Sequence, residues 1–288
     1  MRILKWLGLT AGALVAIALL GGFVLSLVGS NKITATHDVP VAALTIPTDS
    51  ASVANGAHLA GIYGCQDCHG ETLAGRVMSE EGPFRLVAGN LTPAGVGGEY
   101  NAEDWDRAIR HGVGADGTAL FVMPSGAFHG ISDTEASDLI AYLQTLEPVE
   151  NDLPPMEYRF LGKMLAAGPL GIDKGVHPEP TPASSPEPGA TAEYGAYVVN
   201  MMCAYCHGDD VVGKQPPAAG SPFAPGLAAS GQWPAEAFHE ALTTGVTPNG
   251  HQMNPKFMPW PATAKMTHEE REGIRLYLAS LTDRRTAS

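Results

Sequence analysis

The segments Cys65-Gln-Asp-Cys68-His69 and Cys203-Ala-Tyr-Cys206-His207 carry most of what this sequence indicates about its fold. Both have the pattern C-x-x-C-H, which is the attachment signature for haem of the c type. Positions i, i+3 and i+4 share one face of a helical turn, so two thiols can bond the porphyrin while the histidine reaches its iron. The two segments therefore predict two covalently bound haem c groups, with His69 and His207 as iron ligands.

Three other uses of the four cysteines have to be weighed. A thioredoxin-like redox pair needs a βαβ context and has no use for a histidine after its second cysteine. A four-cysteine zinc site would have to be built from two blocks that a long Pro-rich stretch separates. Structural disulfides suit an exported protein, but a bridge between positions i and i+3 is geometrically awkward. Haem attachment accounts for all four cysteines and both histidines.

The sequences around the two motifs repeat each other. Residues 57–70 match 196–208 with one deletion, and 105–113 match 238–246. Each block also ends in apolar residues at i, i+3, i+4 and i+7, which is the spacing of an amphipathic helix. These residues are Leu139, Tyr142, Leu143 and Leu146 in the first block and Ile274, Tyr277, Leu278 and Leu281 in the second. The chain is therefore an internal duplication.

A methionine followed by proline stands at the same place in each block: Met123 and Met258. Proline biases the residue before it toward extended backbone, which keeps each methionine out of a helix and lets a loop present its thioether. Met123 and Met258 are therefore the predicted second axial ligands. Met253 competes in the second block, and histidine ligation, which would lower the haem potential, has four candidates. The histidine candidates are His111, His129, His239 and His251.

The N-terminal segment predicts a membrane anchor. Arg2 and Lys5 precede a stretch, 6–30, that holds no charged residue and is long enough to cross a bilayer as a helix. A cleaved secretory signal is the alternative, although its apolar part is usually shorter. The positive-inside rule places the chain after Lys32 outside the cytoplasm. We therefore expect a single-pass protein of the bacterial inner membrane with both haem domains in the periplasm.

Composition limits the class of protein further. The 288 residues include 34 glycines and 23 prolines, which indicates a loop-rich chain. The formal net charge of −13 excludes nucleic acid as a partner, because a phosphate backbone would repel this surface. The same acidic surface is expected to attract basic protein partners.

Stretches rich in proline and glycine predict where the domains begin and end. We predict an anchor over 1–32, a tether over 33–50, a first haem domain over 51–152, a Pro-rich linker over 153–191 and a second haem domain over 192–288. Some helical character around residues 158–167 suggests that part of the linker packs on a neighbour.

At the level of whole motifs, each block resembles a class I cytochrome c domain, and the tandem resembles the membrane-anchored dihaem cytochromes c. The first block is especially similar to the cytochrome subunits of periplasmic alcohol- and aldehyde-type dehydrogenases. Besides the haem motif, the residues that carry this similarity are Asn90-Leu91-Thr92-Pro93, 105–112, Met123-Pro124-Ser125 and 139–143. The second block has Pro225-Gly226-Leu227 where the first block has Asn90-Leu91-Thr92-Pro93.

The resemblance implies an all-α fold: two tandem class I cytochrome c domains after one transmembrane helix. In each domain the first and last helices would cross through a glycine and an aromatic residue, Gly56 with Tyr142 and Gly195 with Tyr277. Trp105 and Trp233 would pack in the core or line the haem edges.

The expected function is electron transfer without catalysis by this chain. Single electrons would come from a periplasmic dehydrogenase or another redox donor and go to a respiratory-chain acceptor, either a terminal oxidase or a soluble cytochrome. The alternative is a dihaem oxidoreductase, peroxidase-like or thiosulfate-oxidising, with a substrate site of its own; this requires an exchangeable ligand on one haem. A haem-based sensor is a third hypothesis, and it would need a cytoplasmic output domain to pass on its signal.

Overall fold

The computed structural model of this protein describes residues 2–168, 171–216 and 220–286. Most of the ordered elements are helices, which confirms the all-α prediction, and short strands make two small sheets. The helices are α1 (Arg2–Ile33), α2 (Ser50–Ile62), α3 (Cys65–His69), α4 (Ala102–His111), α5 (Ser125–Phe128), α6 (Asp133–Gln144), α7 (Phe160–Ala167), α8 (Ala192–Met202), α9 (Ala204–His207), α10 (Ala235–Thr244), α11 (Trp260–Thr263) and α12 (His268–Thr286). The strands are β1 (Arg76–Ser79), β2 (Phe84–Ala88), β3 (Glu157–Tyr158), β4 (Gly213–Lys214) and β5 (Ala224–Pro225). Three short 3-10 helices span Val96–Gly98, Ile172–Gly175 and Ala228–Gln232.

Local sequence signals set the ends of these helices, and α4 illustrates how. The Asn101 side chain accepts the N–H of Asp104 at 3.0 Å, and the Asp104 carboxylate accepts the N–H of Asn101 at 3.2 Å. This capping box satisfies two backbone donors that the first turn leaves free. The helix stops at Gly112, whose φ of 70° is the left-handed conformation that glycine adopts without strain.

Each haem-motif block is closed by a crossing between its first and last long helices. In the first block α2 crosses α6 at Gly56, where a Cβ atom would lie 1.9 Å from the Asp138 carbonyl oxygen and 2.8 Å from Tyr142 Cβ. The contact between Gly56 and Tyr142 is therefore present. In the second block α8 crosses α12 at Gly195, whose nearest neighbours are the backbones of Gly273 and Ile274. Only glycine allows either pair of backbones to come this close.

The chain turns in the same way after each haem-motif histidine. Leu73 and Val211, each four residues after that histidine, are buried in left-handed backbone with φ of 59° and 49°. Bulky residues rarely adopt this conformation, so its occurrence at both places marks a constraint that the repeats share. Both turns lead into a hairpin, β1 with β2 in the first block and β4 with β5 in the second. The amide of Leu91 then donates to the Leu73 carbonyl, and that of Leu227 to the Val211 carbonyl, both at 2.8 Å.

The segments flanking the first block lie against it. In the segment before α2, the His37 amide donates to the Gly117 carbonyl at 2.8 Å, and the Ala42 amide donates to the Asp106 carboxylate at 2.8 Å. In the Pro-rich segment, β3 pairs with β2 and extends the first sheet to three strands. This segment therefore has secondary structure of its own, which its proline content does not indicate. The domain boundaries given above remain predictions.

The helix α1 is long and apolar enough over Lys5–Ile33 to cross a membrane. Its large apolar side chains are exposed, whereas Ser26 and Gly29 are buried and Gly22 is half-buried. This stripe of small residues faces α7: a Cβ at Gly29 would lie 1.7 Å from the Lys163 carbonyl oxygen. Small residues let two helices approach in this way.

The two haem-motif blocks share an apolar interface. Met201 of α8 is buried in the core of the first block, and Leu59 and Ile62 of α2 are buried in the core of the second. Tyr63 packs against both cores.

Polar contacts also cross this interface. The Tyr197 hydroxyl accepts the Ser132 amide at 3.1 Å and donates to the carboxylate of Glu135. His58 contacts Glu270 at 2.9 Å.

Candidate haem sites

The first candidate site is an apolar cavity inside the first block. Its walls come from α3, β2, α4, α6 and the loop before α5. Cys65, Cys68, His69 and Met123 all line this one cavity. The structure therefore brings together four side chains that the sequence spreads over 59 positions.

The His69 imidazole is oriented as an iron ligand requires. Its Nδ1 lies 2.7 Å from the carbonyl oxygen of Gly89. A carbonyl only accepts, so Nδ1 carries the proton and Nε2 keeps its lone pair. Burial lowers the pKa of His69 despite that hydrogen bond, which keeps the ring neutral. Such a hydrogen bond to the outer ring nitrogen fixes the tautomer of metal-binding histidines.

The cysteines have the properties of attachment points rather than of a redox pair. All four thiols are free of disulfide bonds. Burial raises the pKa of Cys65 to about 12 and that of Cys203 to about 12, so both are protonated at neutral pH. A thiol–disulfide enzyme needs the opposite, a thiolate with a lowered pKa.

Met123 lies in the loop that enters α5, as its proline predicts. Its carbonyl accepts the amide of Ser125 at 2.8 Å, and its side chain packs against the apolar core of the first block. Two further methionines line the same cavity, Met78 of β1 and Met156 just before β3. Neither methionine is predicted as a ligand from the sequence, because neither has a counterpart in the second block.

Trp105 shows that the cavity suits a group with acceptor atoms. Its side chain is only 2% exposed, and its ring packs edge-on to that of Tyr100 at 5.2 Å between centroids. Its indole Nε1 is buried without a hydrogen-bond partner, and both rings line the cavity. A buried donor of this kind requires a partner. Together with the thiols and the neutral histidine, this donor fits haem c, whose carboxylates are acceptors.

The second candidate site repeats the first at its histidine. The Nδ1 atom of His207 lies 2.7 Å from the carbonyl oxygen of Pro225, and burial lowers its pKa. The tautomer argument therefore applies to His207 as it does to His69. Met258 and Met253 are both half-buried between α10 and α11, and the Met253 carbonyl accepts the Trp260 indole N–H at 3.3 Å. Met258 stays the predicted ligand on the strength of the repeat.

The four histidines that compete as axial ligands have other surroundings. His111 and His129 are not among the residues that line the first cavity. In the second block His239 contacts Glu272 at 3.1 Å, and His251 is exposed. Within the described ranges, no three His, Cys, Asp or Glu side chains are grouped so that they could hold a metal ion.

The two attachment segments lie near each other across the interface. Helix α9, which carries the second motif, contacts α5, which follows Met123.

Small helical domains with a C-x-x-C-H turn, a carbonyl-bonded histidine and a methionine loop define a c-type haem protein. The family model for cytochrome c matches residues 53–147 and 192–282. The chain belongs to the cytochrome c family, with two copies of its domain. It is accordingly an electron-transfer protein and not itself a catalytic enzyme.

Curated relatives include cytochrome subunits of several dehydrogenases. The chain is 32% identical over 162 residues to the fructose dehydrogenase cytochrome subunit of Gluconobacter japonicus, a match that covers 52% of this chain and 32% of that protein. It is 30% identical over 222 residues to the cytochrome c subunit of alcohol dehydrogenase (quinone) from Gluconacetobacter polyoxogenes, covering 71% and 47%. It is 29% identical over 178 residues to the gluconate 2-dehydrogenase cytochrome c subunit of Pantoea cypripedii, covering 55% and 38%. The chain thus spans a third to a half of the length of these relatives.

Proposed function

We propose that the chain is a membrane-anchored periplasmic dihaem cytochrome c that passes single electrons from a dehydrogenase to a respiratory-chain acceptor. The observation that carries the proposal is the convergence of Cys65, Cys68, His69 and Met123 on one apolar cavity. The duplication of the motif and of its histidine geometry at His207 supports a second haem.

The first candidate site supplies what a c-type haem needs from the protein. Covalently bound haem, when present, provides a one-electron couple at its iron. The thiols of Cys65 and Cys68 would hold the ring, while His69 and Met123 would hold its iron. A thioether ligand and an apolar cavity both favour the reduced state and so raise the potential. With both residues bound to it, the iron would have no free place for a substrate, which disfavours the oxidoreductase alternative.

The dehydrogenase partner is proposed from the relatives. The cytochrome subunits of fructose, quinone-dependent alcohol and gluconate dehydrogenases are the proteins that this chain resembles. The formal charge of −13 favours a donor or acceptor with a basic docking face. A terminal oxidase or a soluble cytochrome would take the electrons onward.

The anchor and the location are proposed from α1. Its apolar stretch follows Arg2 and Lys5, and the positive-inside rule keeps those residues in the cytoplasm. Both haem domains would then lie in the periplasm, where they share the membrane plane with a membrane-bound partner.

Three methionine variants of the first site test the proposal. We expect Met123→Ala to lower one haem potential and to let the reduced haem bind carbon monoxide. Met78→Ala and Met156→Ala are matched controls, because they shorten a methionine of the same cavity, and neither should change the carbon monoxide spectrum. Carbon monoxide binding by the unsubstituted protein would contradict the proposal and favour the oxidoreductase alternative.

The haem count has a separate test. Mass spectrometry of the intact, denatured protein should show the mass of two haems, and Cys206→Ala should lower that count to one. Purification from detergent-solubilised membranes, with mass identification of co-purifying proteins, tests for the dehydrogenase. Recovery of the protein in the soluble periplasmic fraction alone would refute the anchor.

A further inference from the structure

Helix α7 in the Pro-rich segment has an apolar face that the protein does not cover. Phe160 and Leu161 are 57% and 53% exposed, and Leu165, one turn on from Leu161, is half-exposed. Large apolar side chains grouped on one short helix mark a surface that binds something apolar.

The position of α7 beside α1 indicates what covers this face. A Cβ at Gly22 would lie 3.5 Å from Met164 and 3.7 Å from Phe160, so both side chains reach α1 at that level. Seven residues further along α1, Gly29 abuts the backbone of Lys163. Helix α7 thus runs beside α1 from Gly22 to Gly29, with its N-terminal end nearer the middle of the apolar stretch.

The depth of that contact follows from helix geometry. A hydrocarbon layer of about 30 Å is crossed by about 20 residues of helix at 1.5 Å per residue. Counted from Trp6, the first residue after the charge of Lys5, the layer ends near Ser26. Gly22 lies about one turn inside that limit. Phe160 therefore lies at the level of the outer acyl-chain boundary, and the rest of α7 lies at the level of the headgroups.

Charges around the N-terminal end of α7 are paired with one another. Arg85 contacts Glu80 at 3.1 Å and Glu157 at 3.6 Å, and Arg159 contacts Glu157 at 3.8 Å and donates to the carbonyl of Gly82 at 2.8 Å. Charged side chains close to an apolar phase pair with one another or extend to the headgroups, so these paired charges are compatible with an end of α7 that lies at the membrane boundary.

We propose that the N-terminal end of α7 inserts Phe160 and Leu161 at the acyl-chain boundary of the periplasmic leaflet, while Leu165 lies at the level of the headgroups. The inference rests on the proposed anchoring by α1 and adds a second point of attachment. The occupant of the exposed face is lipid, because the same helix contacts α1 where α1 is surrounded by acyl chains.

This second attachment would fix the first haem site relative to the membrane. Gly162 of α7 abuts the carbonyl of Pro83 and the ring of Phe84, and Ala166 is buried. The Phe84 ring packs on that of Phe121 at 5.3 Å between centroids, and Phe121 lines the first cavity. A continuous packed path therefore joins the lipid-facing helix to the cavity wall, and α1 alone, as a single pivot, would leave the domain free to rotate.

Spin-label accessibility in the full-length holoprotein tests the proposal. Leu161→Cys carries a nitroxide in nanodiscs of phosphatidylcholine and phosphatidylglycerol, and collisions with a water-soluble nickel chelate are compared with collisions with oxygen. Leu20→Cys in α1 is the reference for a label in the acyl chains, and Glu236→Cys on the surface of the second block is the reference for a label in water. Leu165→Cys places a second label on the same face, and an unchanged haem spectrum shows that each variant is folded.

We expect the nickel accessibility of the Leu161→Cys label to be well below that of Glu236→Cys and to approach that of Leu20→Cys, with the Leu165→Cys label between Leu161→Cys and Glu236→Cys. If the α7 labels behave like Glu236→Cys while Leu20→Cys is protected, the interfacial helix is refuted and the anchor stands. If Leu20→Cys is itself open to nickel, α1 does not span the bilayer, and both proposals fail.

Discussion

The contact between His58 of α2 and Glu270 of α12 makes the packing of the two domains depend on pH. His58 Nε2 lies 2.9 Å and 3.1 Å from the two carboxylate oxygens, and the side chains are 26% and 7% exposed. The hydrogen bond with Glu270 raises the pKa of His58 against the effect of burial. Burial acts to raise the pKa of Glu270, but the hydrogen bonds from His58 and from the Thr267 amide outweigh it and lower that pKa.

The signs of these two shifts define a pH window. Because the pKa of His58 is raised on folding, its stabilisation is complete below the unfolded value of 6.5 and disappears as the pH rises through the folded pKa. Because the pKa of Glu270 is lowered, its stabilisation is present above the unfolded value of 4.5 and disappears as the pH falls through the folded pKa. The pair therefore stabilises the interface most between those two values, with pH 5.5 near the middle.

The variant His58→Gln isolates the charge, because glutamine keeps a neutral donor. Glutamine still donates to the charged carboxylate of Glu270, so the substitution removes only the ion-pair contribution of the imidazolium. For a partly exposed pair that contribution is up to about 1 kcal/mol. For domains of about 100 residues that corresponds to about 4–8 °C in Tm. Calorimetry of the holoprotein in detergent should show this loss at pH 5.5 and little change at pH 8.

The pair His239 and Glu272, inside the second domain, is the matched control with the opposite sign. Burial lowers the pKa of His239, and His268 and Arg271 lower it further, although Glu272 opposes them. A lowered histidine pKa costs stability as the pH falls. The stability that His239→Gln loses relative to the unsubstituted protein should therefore be smaller at pH 5.5 than at pH 8. An equal loss at both pH values for His58→Gln, or no loss at pH 5.5, would refute the reasoning.

Three further substitutions test the packing of the domains. Tyr197→Phe removes a hydroxyl that bonds the buried Glu135 across the interface, and should cost about 1–3 kcal/mol in guanidinium unfolding, where an unchanged midpoint would argue against this contact. Gly56→Ala places a methyl group against the backbone of α6 and should lower Tm by several degrees, whereas an unshifted Tm would mean that the helices cross elsewhere. Arg110→Met leaves the fully buried carboxylate of Asp106 without its cation and should cost about 3–5 kcal/mol, measured by denaturant midpoint; a nearly neutral effect would contradict the buried ion pair.

The motifs made the haem sites predictable from the sequence to a large extent. C-x-x-C-H is a local pattern whose chemistry is complete within one turn of helix, so His69 and His207 could be assigned without knowledge of the fold. Met123 could be proposed only because the chain repeats itself, since a single methionine before a proline indicates little. The closing helices α6 and α12 followed from apolar periodicity, and Gly56 from resemblance to a family.

The tertiary structure decided what depends on contacts between distant segments. The carbonyls of Gly89 and Pro225 fix the tautomers of the two haem-motif histidines. The chain brings these carbonyls to the histidines through a left-handed turn at Leu73 and Val211. Leucine and valine rarely adopt this conformation, so the sequence does not predict the turn. Met156 reaches the first cavity from the Pro-rich segment. The packing of α7 on α1 likewise joins residues that the sequence places far apart. Periodicity and spacing report only neighbours along the chain, whereas these contacts arise where the folded chain returns to itself.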